Sequence, residues 1–443
     1  MHDLVIRNGK MIVKGKLVSG EIAIDDGIIR RIAVSGVEKG DVEINAHGRY
    51  ILPGAIDVHA HIFDRRFQHR ESFDSGTMAA AAGGVTTVII MPLDTPVLTV
   101  SEVKKLIELG EKNSLIDFAI HAGNMTAEAI REVKKLVSVG VASFKVFTCS
   151  PYLLEKGEIE RLMDEIKKAN GILFVHAEDE DELRRGLERV RGRKDPLAHH
   201  EARTVRAEVK AVKEVIRMSR YHRCKTHFAH ITSAEACEAI KKGKRKTITA
   251  ETCTHYLIFT REDVKTHGPY LRVNPSIKTK KDRAALWRAL SEGTLDLVAT
   301  DHAPGTVDEK EIGWNDIWKA QIGIPGVENL LPLMLEEGVC RKRISLQRLI
   351  ECLSIAPAKI FGLYPRKGAL LEGSDADLVI VDLKKKTKIT ADKLHYKVGW
   401  TPYAGLRSVA PPEYTISRGE VVSAGGEIIG RVGRGKFISR AGS

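Results

Sequence analysis

Between residues 51 and 364 short apolar runs recur, separated by longer stretches with helical spacing. They are Thr86-Thr-Val-Ile-Ile-Met, Phe118-Ala-Ile-His, Ser143-Phe-Lys-Val-Phe, Ile172-Leu-Phe-Val-His, Thr226-His-Phe-Ala-His, Thr247-Ile-Thr-Ala-Glu and Leu295-Asp-Leu-Val-Ala-Thr-Asp, preceded by the run that carries His59. Runs this short and this uniformly apolar fit strands buried on both faces, and parallel strands need a crossover between them, usually a helix. Segments such as Ser101 to Leu109 and Glu158 to Ala169 have that character. Eight such strands predict an α/β chain built on a (β/α)8 TIM-like barrel, with a doubly wound sheet as the competing arrangement.

The two ends have a different texture. Residues 1–50 read as short strands (Leu4-Val-Ile-Arg, Lys10-Met-Ile-Val, Glu21-Ile-Ala-Ile), with Asp25-Asp-Gly as a hairpin signal before Ile28. Residues 365–443 repeat the pattern in Ala376-Asp-Leu-Val-Ile-Val-Asp, Tyr414-Thr-Ile-Ser and Glu420-Val-Val. Neither end is large enough for a core of its own, so the two are expected to pair into one small β domain. The barrel, 51–364, is then an insertion between its halves.

Composition narrows the function classes. With 70 Lys plus Arg against 58 Asp plus Glu the net charge is +12, yet the basic residues alternate with acids, apart from one cluster at Lys241-Lys-Gly-Lys-Arg-Lys, and no aromatic interleaving accompanies them. No nucleic-acid partner is expected. The six Cys are scattered, with no Cys-x-x-Cys pair, and three Gln in 443 residues lean towards heat-stable proteins. The absence of an 18-residue apolar run and the start Met1-His2-Asp3-Leu4 predict a soluble, cytoplasmic protein with no membrane partner.

In a barrel the active site forms at the C-terminal ends of the strands, so polar residues closing apolar runs are the candidates. His59 and His61 close the first strand, and alternation along a strand points both imidazoles to one side, as two ligands of one metal require. Lys145 lies within Ser-Phe-Lys-Val-Phe, His176 ends Leu-Phe-Val-His, His230 ends His-Phe-Ala-His, and Asp301 ends Val-Ala-Thr-Asp. Singly, a strand-end His is ordinarily hydrogen-bonded structure and Asp301 a turn cap. A Lys in an apolar strand has no such ordinary reading, since its charge must be paired or lost. Together the six suit two nearby metal ions: two imidazole pairs, with Asp301 and Lys145 left to bridge or support. A neutral Lys145 amine can take up carbon dioxide as a carbamate, whose two oxygens could hold both ions. Imidazole-rich ligation suggests two Zn²⁺, although Co, Mn or Fe suit the same set.

These residues resemble the amidohydrolase superfamily and, within it, the cyclic amidohydrolases: dihydroorotase, hydantoinase (dihydropyrimidinase) and allantoinase. The likeness runs from Gly54-Ala-Ile-Asp-Val-His-Ala-His through Ala80-Ala-Ala-Gly-Gly-Val-Thr-Thr, Val175-His-Ala-Glu, Ala250-Glu-Thr-Cys-Thr-His-Tyr-Leu and Ala299-Thr-Asp-His-Ala-Pro to Gly373-Ser-Asp-Ala-Asp-Leu-Val-Ile. It implies a barrel with a β-sandwich made by the two termini. It also implies a binuclear zinc centre in which His59 and His61 hold one ion and His176 and His230 the other. Lys145 is then the carboxylated bridge, and Asp301 the ligand that shuttles the proton during opening, or reverse closing, of a ring amide. A homo-oligomer, dimer or tetramer, and a small cyclic amide or ureide substrate follow by the same analogy. A non-catalytic scaffold homologue is the contrary expectation, which six intact ligand positions oppose.

The overall pattern is most similar to dihydroorotase, acting on dihydroorotate or carbamoyl-aspartate in pyrimidine biosynthesis. In favour stand Arg272-Val-Asn-Pro and Gly323-Ile-Pro-Gly-Val-Glu. Phe63 and Leu93, however, stand where dihydroorotases carry the Arg and Asn that bind the ring carboxylate. Met91-Pro-Leu-Asp resembles allantoinase instead, and Phe63 suits an apolar hydantoin substituent. Arg65, Arg66 or Arg70 of the same loop would be the replacement anchors, and Phe63, Arg65, Arg66, Asn274 and His302 are the expected substrate contacts.

Overall fold

The computed structural model describes residues 1–63 and 65–441. The N-terminal strands are β1 (His2–Val13), β2 (Lys16–Asp25), β3 (Ile28–Ala33), β4 (Gly40–Asn45) and β5 (Tyr50–Pro53). The two runs read from sequence at Leu4 and Lys10 form one strand, β1, whose register with β2 shifts between Ile6 and Gly9. Asp26 and Gly27, at φ 52° and 74°, make the tight turn from β2 to β3, the left-handed pair that hairpins with matching twist require.

Eight parallel strands follow: β6 (Ala55–Ala60), β7 (Val85–Ile90), β8 (Asp117–Ile120), β9 (Phe144–Phe147), β10 (Leu173–His176), β11 (Thr226–Phe228), β12 (Ile248–Cys253) and β13 (Leu297–Ala299). They pair in the order β6-β7-β8 and β9-β10-β11-β12-β13. The two sheets join through parallel bridges between Ala122 and Phe144 and between Ala60 and His302, which closes the (β/α)8 barrel. Ile56, Val58, Ile89, Ala119, Phe174 and Leu297 fill its interior, with Phe361 and Ile438 packed against them. The intervening helices start on side-chain caps, as at Thr99 with Glu102 or Asp179 with Glu182, where an oxygen satisfies an otherwise unpaired amide.

The C-terminal strands are β14 (Leu378–Val381), β15 (Lys386–Lys388), β16 (Arg407–Val409), β17 (Tyr414–Ser417), β18 (Glu420–Ala424) and β19 (Glu427–Ile428). β14 runs antiparallel to β5, with Leu378 opposite Pro53 and Ile380 opposite Ile51, so the two ends of the chain share one nine-stranded sheet that forms the sandwich. Two stretches of the 365–443 segment leave it for the barrel. Ile389, Tyr396, Val398, Trp400 and Tyr403 are buried in the barrel's own core cluster, and Ile438 donates its amide to the carbonyl of Phe118 in β8. Their apolar side chains find cover on the barrel that the thin sandwich does not offer. Where barrel and sandwich meet, Lys367 is fully buried between Asp375 at 2.9 Å, Asp377 at 2.8 Å and Asp117 of β8. Among the described residues no helix is long and apolar enough to cross a membrane.

Candidate metal centre

Parallel strands bring all their C-terminal ends to one rim, and the six predicted ligands gather there around a cavity of about 210 Å³. His59 and His61 each direct Nε2 at Oδ1 of Asp301, both at 3.2 Å. The other ring nitrogens are occupied. His61 Nδ1 stands 2.9 Å from the carbonyl of Met91, and His59 Nδ1 is 2.6 Å from Glu251 Oε1. A carbonyl can only accept, so His61 carries its proton on Nδ1. Burial holds His59 far below the usual histidine pKa, and with its proton on Nδ1, towards Glu251, the ring leaves Nε2 as a lone pair. Two imidazole lone pairs thus face one carboxylate oxygen, an arrangement that calls for a cation between them.

On the far side, His176 Nδ1 lies 3.0 Å from His230 Nε2, while His176 Nε2 donates to Glu178 Oε2 at 2.8 Å. Burial by itself would raise the Glu178 carboxyl, but Arg203 and His176 outweigh it and hold it at about 2. A carboxylate behind a ligating imidazole fixes its tautomer and orientation. His230 Nδ1 and Lys145 Nζ are buried with no hydrogen-bond partner. The ammonium stands over the rings of Phe174 and Phe147, 4.8 and 5.0 Å from their centroids. Burial pulls the Lys145 pKa from 10.5 to about 8, so neutral amine is accessible near physiological pH. The rings of His59 and His230 stack at 5.5 Å, which places the two groups side by side. Orphaned nitrogens, converging lone pairs and carboxylate-backed imidazoles all fit a pair of divalent metal ions.

The backbone is bent to make this possible. His230 and Asp301 lie two residues beyond β11 and β13, at φ 34° and 49°. Such left-handed conformations cost non-glycine residues roughly 1–3 kcal/mol and concentrate at functional sites. Close approach matters beside Lys145 as well. Gly123 has φ 153°, and a Cβ there would come within 2.7 Å of the Lys145 Cβ.

The expected substrate contacts divide. Asn274 lines the cavity, and its side-chain oxygen accepts from His199 Nε2 at 2.9 Å. Phe63 lines an adjoining recess with Arg70 and Glu71. Arg65 faces a separate groove against Glu102 and Lys105 of the helix Val100–Asn113. Arg66 donates to the carbonyl of Asp94 and does not line the cavity, and Arg70 is chelated by Glu309. His302 is fully buried, with Nε2 3.2 Å from Glu71 and Nδ1 accepting from the Gly326 amide at 3.1 Å. One residue along the chain from Asp301, it points the opposite way and braces the loop. Sequence reasoning passed over Glu178, Glu251, Arg203, Asp94 and Tyr152. For the first two a signal existed: an acid inside an apolar run at Glu251, and at Glu178 an acid two residues beyond a ligand His.

A family model described as "Amidohydrolase family" matches residues 50–422. The chain is 31% identical to L-hydantoinase of Paenarthrobacter aurescens, over 99% of this chain and 98% of that one. It is 35% identical to dihydroorotase of Methanosarcina acetivorans, over 100% and 96%. Among solved structures, L-hydantoinase (dihydropyrimidinase) from Arthrobacter aurescens superposes with a TM-score of 0.96 at 30% identity, covering 99% of this chain and all of that one. A D-hydantoinase structure gives 0.93 at 30% identity, with 99% of each chain covered. The chain belongs to the amidohydrolase family, in its group of cyclic amidohydrolases.

Proposed function

We propose that the protein hydrolyses the ring C–N bond of a neutral cyclic ureide, of the hydantoin, dihydropyrimidine or allantoin type. His59, His61 and Asp301 would hold one divalent metal ion and His176 and His230 a second, with Lys145 as a carbamate between them; zinc suits the imidazole-rich set. Bound there, the ions would supply a Lewis acid for the ring carbonyl and an activated water at neutral pH. Asp301 would take the proton of the attacking water on its carboxylate. As the water oxygen bonds to the carbonyl carbon and the C–N bond breaks, the same carboxylate returns the proton to the ring nitrogen. Glu251 and Glu178 would keep the imidazoles in the ligating tautomer, and Leu93, Phe147 and Ile322 give the cavity an apolar wall.

The reading for a neutral ring is carried by the state of the cavity's cations. Arg203 is the one guanidinium among the described residues lining the cavity, and it is committed to the buried Glu178. A ring carboxylate would want a guanidinium fork of its own. The dihydroorotase reading keeps one observation in its favour, Asn274 in the cavity lining. Turnover of hydantoin, dihydrouracil, allantoin and dihydroorotate by the metal-loaded protein, with a chelated control, separates the two. Chelator-sensitive opening of a neutral ring is the expected result. A preference for dihydroorotate overturns the reading.

A further inference from the structure

Asp94 closes the run Met91-Pro-Leu-Asp after β7. Among the described residues lining the metal-side cavity it is the one carboxylate besides Asp301. It ties three loops together: the Tyr152 hydroxyl donates to its Oδ1, and Arg66 donates to its backbone carbonyl while standing 3.6 Å from the same Oδ1. The Asp94 side chain is 28% exposed and that of Arg66 58%. Arg66 is thus the more exposed of the two, where charges are screened, while the Asp94 carboxylate lines the cavity. This stretch of wall accepts hydrogen bonds and carries negative charge.

We propose that Asp94 is a specificity-determining residue, selecting cyclic ureides whose ring substituent carries N–H donors or a positive charge and turning away rings that bear a carboxylate. The proposal rests on the cyclic-ureide reading above.

Two hydantoins test it, since 5-(carbamoylmethyl)- and 5-(carboxymethyl)hydantoin differ only in an amide NH₂ against a carboxylate oxygen. The metal-loaded protein is expected to favour the amide in kcat/KM, and in calorimetric Kd, by about tenfold or more, because like charges juxtaposed in a site are strongly disfavoured. Asp94→Asn keeps an acceptor for Tyr152 and removes only the charge; it should bring the ratio to within about threefold. Tyr152→Phe, which loosens the loops and spares the charge, should leave the ratio in place. Equal treatment of the two ligands, preference for the acid, no measurable binding of the amide, or an unchanged ratio in Asp94→Asn each overturns the proposal. Failure of the underlying reading looks different: unsubstituted hydantoin is not turned over at all, while the Kd ratio still reports on Asp94.

Discussion

Lys145 and Lys367 are both buried, and they were solved by the chain in opposite ways. Lys367, at the joint of barrel and sandwich, has three carboxylates around its ammonium; burial alone would lower its pKa, but Asp377, Asp117 and Asp375 hold it above the usual lysine value. Lys145, at the rim of the barrel, has aromatic faces and no hydrogen-bond partner, and burial pulls it down to about 8. A paired buried charge is architecture. An unpaired one is held ready for a reaction or a ligand, because nothing in the fold alone compensates its burial.

The contrast breaks most visibly at Lys145. Lys145→Ala is expected to lose bound metal and to lower turnover by about 10²-fold or more, the scale on which removal of a group acting at the reaction centre is felt. Short carboxylates added to the buffer should restore part of both. Thermal unfolding of the metal-free variant should stay within a few degrees of wild type. Retention of two ions per chain, measured by elemental analysis without added carboxylate, would sink the bridging role.

Lys367→Met gives the reverse pattern. Removing the ammonium takes the shared cation from three acids, of which Asp117 keeps Arg418 and Asp375 keeps Arg366 while Asp377 loses its cationic side-chain partner, and breaking a buried ion pair costs about 3–5 kcal/mol. Denaturant unfolding should show a loss on that scale, with metal content unchanged in the protein that remains folded. A loss below about 1 kcal/mol would mean that the joint is held by its apolar contacts instead.

How far the sequence disclosed this is instructive at particular residues. The barrel was legible because both-face burial leaves an unbroken apolar run, and the ligand candidates because they interrupt or end such runs. The same signal selects His121, which ends Phe118-Ala-Ile-His. In the structure His121 serves the interior instead, bonded to the Val58 carbonyl at 2.9 Å and the Ser143 hydroxyl at 2.6 Å. Which strand-end histidine faces the cavity depends on strand register, and that no single run reveals. The Asp94–Tyr152–Arg66 link was invisible for a related reason, since it joins loops whose spacing carries no periodicity. The excursion from 383 to 412 falls within the 365–443 segment assigned to the sandwich and reveals its barrel allegiance only through the face its aromatics cover.

The residues behind the proposed ligands sharpen the comparison further. Glu251 accepts from His59 Nδ1, lies 3.2 Å from His227 Nε2 and takes the His230 amide at 3.3 Å, so one carboxylate orients histidines from both groups. Glu251→Gln should weaken metal affinity by about 10- to 100-fold, the usual effect of altering a partner behind a ligand. The barrel should persist, because the glutamine fills the same volume. Metal titration against a competing chelator measures it, and unchanged affinity would reduce Glu251 to a packing residue.

The smallest effect is also the one that sets the two lysines most directly against each other. An amine whose folded pKa is depressed binds its proton more tightly when unfolded. Lys145 therefore weakens the metal-free fold below about pH 8, and the penalty lifts as pH rises from about 8 towards 10.5. Lys367 has a raised folded pKa, so its contribution is fully present below 10.5 and is lost only above it, as pH climbs through the folded value. Between about pH 7.5 and about pH 9 the metal-free wild type should gain about 1 kcal/mol relative to Lys145→Met, whose unbranched thioether keeps the contact with Phe147 and Phe174 without the titration. Lys367→Met should show no such relative change over that interval. Denaturant midpoints of the three metal-free proteins at both pH values decide it, and parallel curves for wild type and Lys145→Met would mean that the Lys145 amine is charged throughout, leaving no neutral amine to become a bridge.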